Sequence, residues 1–342
     1  MTATQTKVSS RTLPKATEAE VEAIEKGYWI SKFHDIIKDW RLYVMFFPLF
    51  FFLVCWKYLP IASMVVSFKY LVNDSSFGGG TYNSLFIGFD SFRYLFTQSD
   101  FWSAFRNTFV LSFYGLVFGF PFPIILALFF SEIKCKAYRA VAQVFTYMPK
   151  FISLVVMTSL LGMLLQSSSA SVSAGVIASI FEKMGQTNLL SNPKAFRSIF
   201  VVSGIWAEAG YGSIVYFAAI LGISPTNYEA ARIDGASKMQ QVRYVTFPGM
   251  APTLIIMLIL KIGTLLTIGY EKVYLIQQLG ASGSTYETSQ TISTYVINTI
   301  MSQANLNQGI GAAADLFNSL LSMFLVIGSN AVSRKVSSTS LF

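Results

Sequence analysis

Six stretches of this chain are long and apolar enough to cross a lipid bilayer, and that excludes most soluble architectures. A helix needs about 20 predominantly apolar residues to span the hydrocarbon core. Segments 42–68, 104–130, 144–166, 198–221, 250–274 and 312–332 meet or approach that length. No water is available there to satisfy backbone N–H and C=O groups, so each segment must be helical. The expected fold is an all-α polytopic membrane protein, with a tail over 1–40, a six-helix domain over 41–336 and a short tail over 337–342. Composition agrees. Hydrophobic residues make up 53% of the chain and charged residues only 12%, roughly half the charged share of a soluble domain.

Proline sets expectations within two of the spans. Pro121 and Pro123 predict a bend in the second, because each removes a backbone donor. Pro149-Lys150 interrupts the start of the third, which is expected to be kinked. The first apolar run follows a long polar tail and has no small-residue cleavage site, so it is expected to remain as a span.

The net charge of +8 is unevenly distributed. Lys7, Arg11, Lys15, Lys26, Lys32, Lys38 and Arg41 precede the first span, which marks the N-terminus as cytoplasmic. Counting alternately from there, the inside loops hold Lys134, Lys136 and Arg139, then Arg232, Lys238 and Arg243, then Arg334 and Lys335. The outside loop 276–311 holds no Lys or Arg, although Arg93, Lys183, Lys194 and Arg197 lie in other outside loops. The C-terminus is also expected inside. These basic residues flank apolar spans rather than forming a folded basic face, which argues against nucleic-acid binding. The outside segments 73–83 and 280–286 are rich in Gly, Ser and Asn and read as loops rather than domains.

Little in the chain suggests catalysis. Cys55 and Cys135 are expected in a span and an inside loop, and the sole histidine, His34, lies in the tail, so no disulfide framework or metal site is expected. The sequence contains no phosphate-binding Gly-x-x-x-x-Gly-Lys-Ser/Thr pattern. No cofactor and no enzymatic role are expected of this chain.

The loop 222–248, between the fourth and fifth spans, is too charged for lipid and too regular for a plain connector. Ser224 and Pro225 predict a helix start, with Ser as N-cap and Pro at the first helical position. Gly235 can take a left-handed conformation at the helix end. Ser237 and Gln240 fit a capping box that opens a second short helix toward Pro248. Within this loop, Glu229-Ala230-Ala231 is followed after three residues by Gly235, and after nine more by Val245-Thr246-Phe247-Pro248.

That spacing resembles the EAA loop of binding-protein-dependent ABC importer permeases, whose pattern is Glu-Ala-Ala, three residues, Gly, nine residues, Ile-x-Leu-Pro. Val245 and Phe247 replace Ile and Leu but keep apolar bulk. Further segments, among them Phe101-Trp102-Ser103-Ala104-Phe105-Arg106-Asn107-Thr108 and Tyr147-Met148-Pro149-Lys150-Phe151-Ile152-Ser153, resemble the polysaccharide and complex-oligosaccharide branch of the maltose-type sugar permeases. The resemblance runs from about Asp39 to the C-terminus. It implies the type I importer permease fold in a bacterial cytoplasmic membrane. It also implies a sister permease completing a heterodimer, two cytosolic ATPase subunits that bind ATP and Mg, and an extracytoplasmic solute-binding protein that delivers oligosaccharide or polysaccharide fragments. Glu229, Ala230, Ala231, Asp234, Gly235 and Pro248 would form the ATPase-coupling element. An ion-coupled secondary sugar transporter is the alternative, but such proteins usually carry more intramembrane carboxylates.

Several charges fall inside the spans, and two of them come to matching depth near mid-membrane. Glu208 and Lys261 are expected at similar depth on the fourth and fifth, where ionisable groups are costly and pair or face water. They are expected either to pair with each other or to border the sugar pathway. Trp206, Tyr211, Tyr216, Tyr270 and Glu271 join them as candidate pathway residues, since aromatic faces stack on sugar rings and carboxylates accept hydroxyl hydrogen bonds.

Overall fold

Proline and capping residues, more than hydropathy, decide where the helices of this chain begin and end. In the computed structural model, residues 38–70, 85–168, 173–185, 188–280, 283–301 and 306–336 are described. Most of the N-terminal tail, the loop 73–83, residues 281–282 and the tail 337–342 lie outside them. The described residues contain five helices long and apolar enough to span a membrane, or six when one bent pair counts as a single span.

The chain divides after Ser63. In the first unit, α1 (Trp40–Leu53) passes through a π-helical turn, Val54–Tyr58, into α2 (Leu59–Ser63). Its large side chains, from Trp40 to Ile61, are exposed along nearly the whole length, as suits a helix solvated by lipid or a partner.

The second unit opens with a 3-10 turn, Met64–Phe68, and a minimal antiparallel pair, β1 (Lys69–Tyr70) with β2 (Leu85–Phe86), in which Lys69 lies opposite Phe86. Next come α3 (Asp90–Thr97), α4 (Ser99–Gly119) and α5 (Pro121–Glu132). Together α4 and α5 make one candidate span, Ser99–Glu132. Phe120, at the junction, keeps helical dihedrals and donates to the Leu116 carbonyl at 3.0 Å. Pro121 and Pro123 thus interrupt the hydrogen-bond ladder without breaking the span.

The third span is broken. The helix α6 (Lys136–Tyr147) runs into a 3-10 turn, Met148–Phe151, and α7 (Leu154–Leu165) restarts at 99° to it. Pro149 cannot continue the ladder and is buried in the turn, while the Ser153 hydroxyl accepts from the Val156 N–H at 3.3 Å to cap α7. A short α8 (Val176–Lys183) follows, then the long α9 (Pro193–Leu221). This helix begins at Pro193, with the Asn192 side chain accepting from the Lys194 N–H at 3.0 Å.

Beyond α9 lie α10 (Pro225–Ile233), α11 (Lys238–Gln241), a π-helical turn (Val242–Thr246) and α12 (Phe247–Gly263). The fifth span therefore covers Lys238–Gly263 and not 250–274. Gly263 and Thr264 end it, and the apolar residues beyond form a connecting turn before a separate helix, α13 (Tyr270–Leu279). The remaining helices are α14 (Tyr286–Ser289), α15 (Ile292–Met301) and α16 (Leu306–Val336), the last containing the candidate span Gln308–Lys335.

Three apolar clusters hold the second unit together. One joins Leu95, Phe101 and Ala104 to Tyr295, Ile310 and Ala314. A second gathers Leu111, Phe196, Ile268, Val273 and Ile276. The third packs Ile124, Ala127, Tyr216, Ile220 and Met250. Phe196 and Tyr216 place the second and third clusters at different heights on α9, about 30 Å apart at ~1.5 Å rise per residue. Glu208 lies between them on the same helix.

Candidate functional site

The loop after α9 is built as a rigid hook. Pro225 starts α10, but the Ser224 hydroxyl makes no capping bond, so the start rests on proline's fixed φ. At the other end Gly235 has φ +73°. Its N–H reaches the Arg232 carbonyl at 3.1 Å, and the Ala236 N–H reaches the Ala231 carbonyl at 2.9 Å. These two bonds make a Schellman motif. Ser237 and Gln240 then form the expected capping box, with the Gln240 side-chain Oε1 accepting from the Ser237 N–H at 2.7 Å. The buried Gln241 amide donates to the Ala236 carbonyl at 2.9 Å and locks the turn from inside.

Two side-chain contacts fasten this hook to the spans. Tyr228 Oη and Thr246 Oγ1 lie 3.1 Å apart, joining α10 to the π turn. Lys238 Nζ reaches Glu132 Oε2 at 2.7 Å, joining α11 to the end of α5. Glu229, Ala230, Arg232, Asp234 and Gly235 are exposed, and Ala231 is half-buried. Ile233 and Met239 beside them are 86% and 75% exposed. Two large apolar side chains thus lie uncovered beside the carboxylates of Glu229 and Asp234. Pro248 lies in the first turn of α12, directly after the π turn, so its missing N–H falls where the continuous helix changes from π to α bonding.

The second constellation lines a cavity of about 730 Å³ between α4, the 148–151 turn, α9, α12 and α13. Of the seven pathway candidates, Glu208, Tyr211, Tyr216 and Lys261 line it. Trp206, Tyr270 and Glu271 are not among its lining residues. Trp206 is instead exposed on α9, and Tyr270 stacks on Tyr274 with ring centroids 5.2 Å apart. Tyr216 is buried edge-on against Phe120, while Tyr211 is exposed and meets the Phe151 ring edge-on at 6.0 Å.

Glu208 has two cationic neighbours. Lys261 Nζ lies 3.8 Å from Oε2, one of the two arrangements expected from the sequence, but Lys150 Nζ is closer, 3.2 Å from Oε1. The break at Pro149 brings Lys150 there. Contact between α6 and α9 is close enough that a Cβ on Gly210 would overlap the Thr146 carbonyl oxygen. A third lysine, Lys272, also lines the cavity. Its ammonium donates to the Phe200 carbonyl at 2.8 Å and lies 4.3 Å from the centroid of that residue's ring. Sequence reading missed Lys150 and Lys272. The available signal was a lysine directly after a span-breaking proline, and one near the end of the apolar segment 250–274.

Comparison with known proteins identifies the family of the chain. Residues 119–338 match the family described as binding-protein-dependent transport system inner membrane component. Protein LplB of Bacillus subtilis is 32% identical over 97% of this chain and 99% of its own length. The polygalacturonan/rhamnogalacturonan transport system permease protein YteP, from the same organism, is 31% identical over 90% of this chain and 92% of its own. A solved bacterial ABC transporter involved in the import of the acidic polysaccharide alginate contains a chain with 34% identity and a TM-score of 0.77, covering 90% of this chain and 99% of that one. The same match recurs in the alginate transporter bound to its alginate pentasaccharide-loaded periplasmic protein. The chain has the multi-pass, type I fold of an ABC importer permease and belongs to the family of binding-protein-dependent transport system inner membrane components.

Proposed function

We propose that this chain is one of two different permease subunits of an ATP-driven importer in a bacterial cytoplasmic membrane, and that it carries oligosaccharides or polysaccharide fragments. In this reading an extracytoplasmic binding protein delivers the sugar, and two cytosolic ATPase subunits hold ATP and Mg²⁺. Both termini and α10 face the cytosol. The descriptions of YteP and of the alginate transporter support the sugar cargo. None of the relatives named is described as an ion-coupled carrier.

The observation that carries the mechanism is the exposed α10 fixed at both ends. Glu229, Ala230, Ala231, Asp234 and Gly235 form a compact surface for an ATPase groove. The small alanines let backbones approach, and Glu229 supplies an ion-pairing carboxylate. The Tyr228–Thr246 and Lys238–Glu132 contacts mean that a push on α10 moves α12 and α5 instead of being absorbed in a loop. Opening and closing of the ATPase dimer would thereby switch the pathway between inward- and outward-facing forms.

Purification with the ATPase subunits tests this directly. Glu229→Arg is expected to abolish stimulation of ATP hydrolysis by the sugar-loaded binding protein while the permease remains folded. Undiminished stimulation in that variant would overturn the coupling role.

A further inference from the structure

The lysines around Glu208 exceed what an ion pair needs. The charged residues lining the cavity are Lys150, Lys261, Lys272 and Glu208, three cations against one carboxylate. Lys150 alone would neutralise Glu208 at 3.2 Å. Lys261 is a second cation on the same carboxylate, at 3.8 Å. Among the described residues no carboxylate contacts Lys272, and its ammonium, with three donors, has one backbone acceptor and one ring face. Gly204 accommodates it, since a Cβ there would lie 2.9 Å from Nζ.

Excess positive charge within the membrane is costly. A neutral sugar can accept hydrogen bonds from ammonium groups through its hydroxyls, but it carries no charge to offset their surplus. An anionic cargo offsets the surplus as it passes, and a cationic wall raises its local concentration.

We propose that Lys150, Lys261 and Lys272 are the point in the pathway where acidic groups of an anionic oligosaccharide dock. Glu208 is the resident counter-ion, which holds Lys150 and Lys261 until a cargo anion replaces it. This rests on the sugar-import reading above and narrows its cargo. Lysine ammonium groups act as point charges and do not impose the planar fork by which arginine selects carboxylates. The shared chemistry is therefore an acidic sugar, bearing either a uronate carboxylate or a sulfate ester.

The test uses the intact transporter in nanodiscs without its binding protein, so that sugar-dependent signals come from the membrane complex. The probes are a galacturonate trisaccharide, a 6-sulfated galactose trisaccharide and a neutral galactose trisaccharide, read by thermal shift and equilibrium binding. At least one acidic probe is expected to bind and stabilise the complex, the neutral one not; the tighter acidic probe identifies the anion. Lys272→Met should weaken that binding about tenfold, and Glu208→Gln should tighten it. Lys261→Met provides the same comparison if Lys272→Met melts early. A merely structural Glu208 would give the opposite sign. Equal binding of the neutral probe, no shift with either acidic probe, or loss of binding in Glu208→Gln would overturn the proposal. ATP-driven uptake of the neutral trisaccharide at full rate would then leave sugar import standing. Absent ATP-driven uptake of all three sugars with binding protein restored would count against the import reading itself.

Discussion

Lys238 and Glu132 meet at 2.7 Å although 106 residues separate them in the chain. Their contact joins the first residue after the capping serine of α11 to the last residue of α5, so the hook is fastened to two spans and not only to the one it precedes. Both side chains are more than half exposed, so the pair contributes about 0–1 kcal/mol to stability. Lys238→Glu is expected to leave the melting temperature nearly unchanged and to lower the sugar imported per ATP hydrolysed. The double reversal with Glu132→Lys should restore that ratio in proteoliposomes.

Gly235 isolates a backbone effect. A Cβ there would meet nothing within 4 Å, so substitution introduces no clash and only the φ of +73° resists it. Gly235→Ala should cost about 1 kcal/mol, and Gly235→Asn less, because asparagine tolerates the left-handed region. Thermal unfolding of the two variants in one detergent gives the ranking.

Gly210 predicts the contrary case, a clash with backbone. The atom in the way is the Thr146 carbonyl oxygen, which no rotamer change can move. Gly210→Ala is expected to cost about 1–3 kcal/mol as α6 is forced off α9. Gly328→Ala, where a Cβ meets nothing within 4 Å, is the matched control and should be neutral or stabilising. Unequal melting temperatures for the pair would bear this out.

Charge exchange around Glu208 should not be symmetric. Swapping Glu208 with Lys261 leaves Lys150 facing a new lysine across the shorter, 3.2 Å contact. Swapping Glu208 with Lys150 restores that shorter contact and leaves Lys261 at the longer distance. The Lys150 swap is therefore expected to recover more folded protein than the Lys261 swap, as judged by monodisperse yield after size exclusion.

Where local chemistry decides structure, the sequence could be read closely. Ser237 with Gln240 announced a capping box, Gly235 a left-handed turn and Pro225 a helix start, because each depends on neighbours within a few residues. Span ends were harder. Residues 264–274 remain apolar enough to continue the fifth span, yet Gly263 and Thr264 end it and let Leu266 and Ile268 bury in a connecting turn. Hydropathy cannot distinguish burial in lipid from burial in protein. Lys150 escaped notice for a related reason. Its partner is set by the 99° break and by the close approach of Gly210 to Thr146, both properties of two helices meeting rather than of either alone.

Each π-helical turn in the described residues stops two residues short of a proline, at Tyr58 before Pro60 and at Thr246 before Pro248. A π turn holds one residue more than an α-helix would at that point, which rotates everything beyond it by about 100° about the helix axis. Val242–Thr246 therefore sets the angular phase between the hook and Lys261. Removing one residue from that turn would leave the hydropathy of the span and the hook's residues intact, yet swing the lysine away from Glu208. The length of this segment, as much as its composition, aims a charge at the pathway from the far side of a glycine turn.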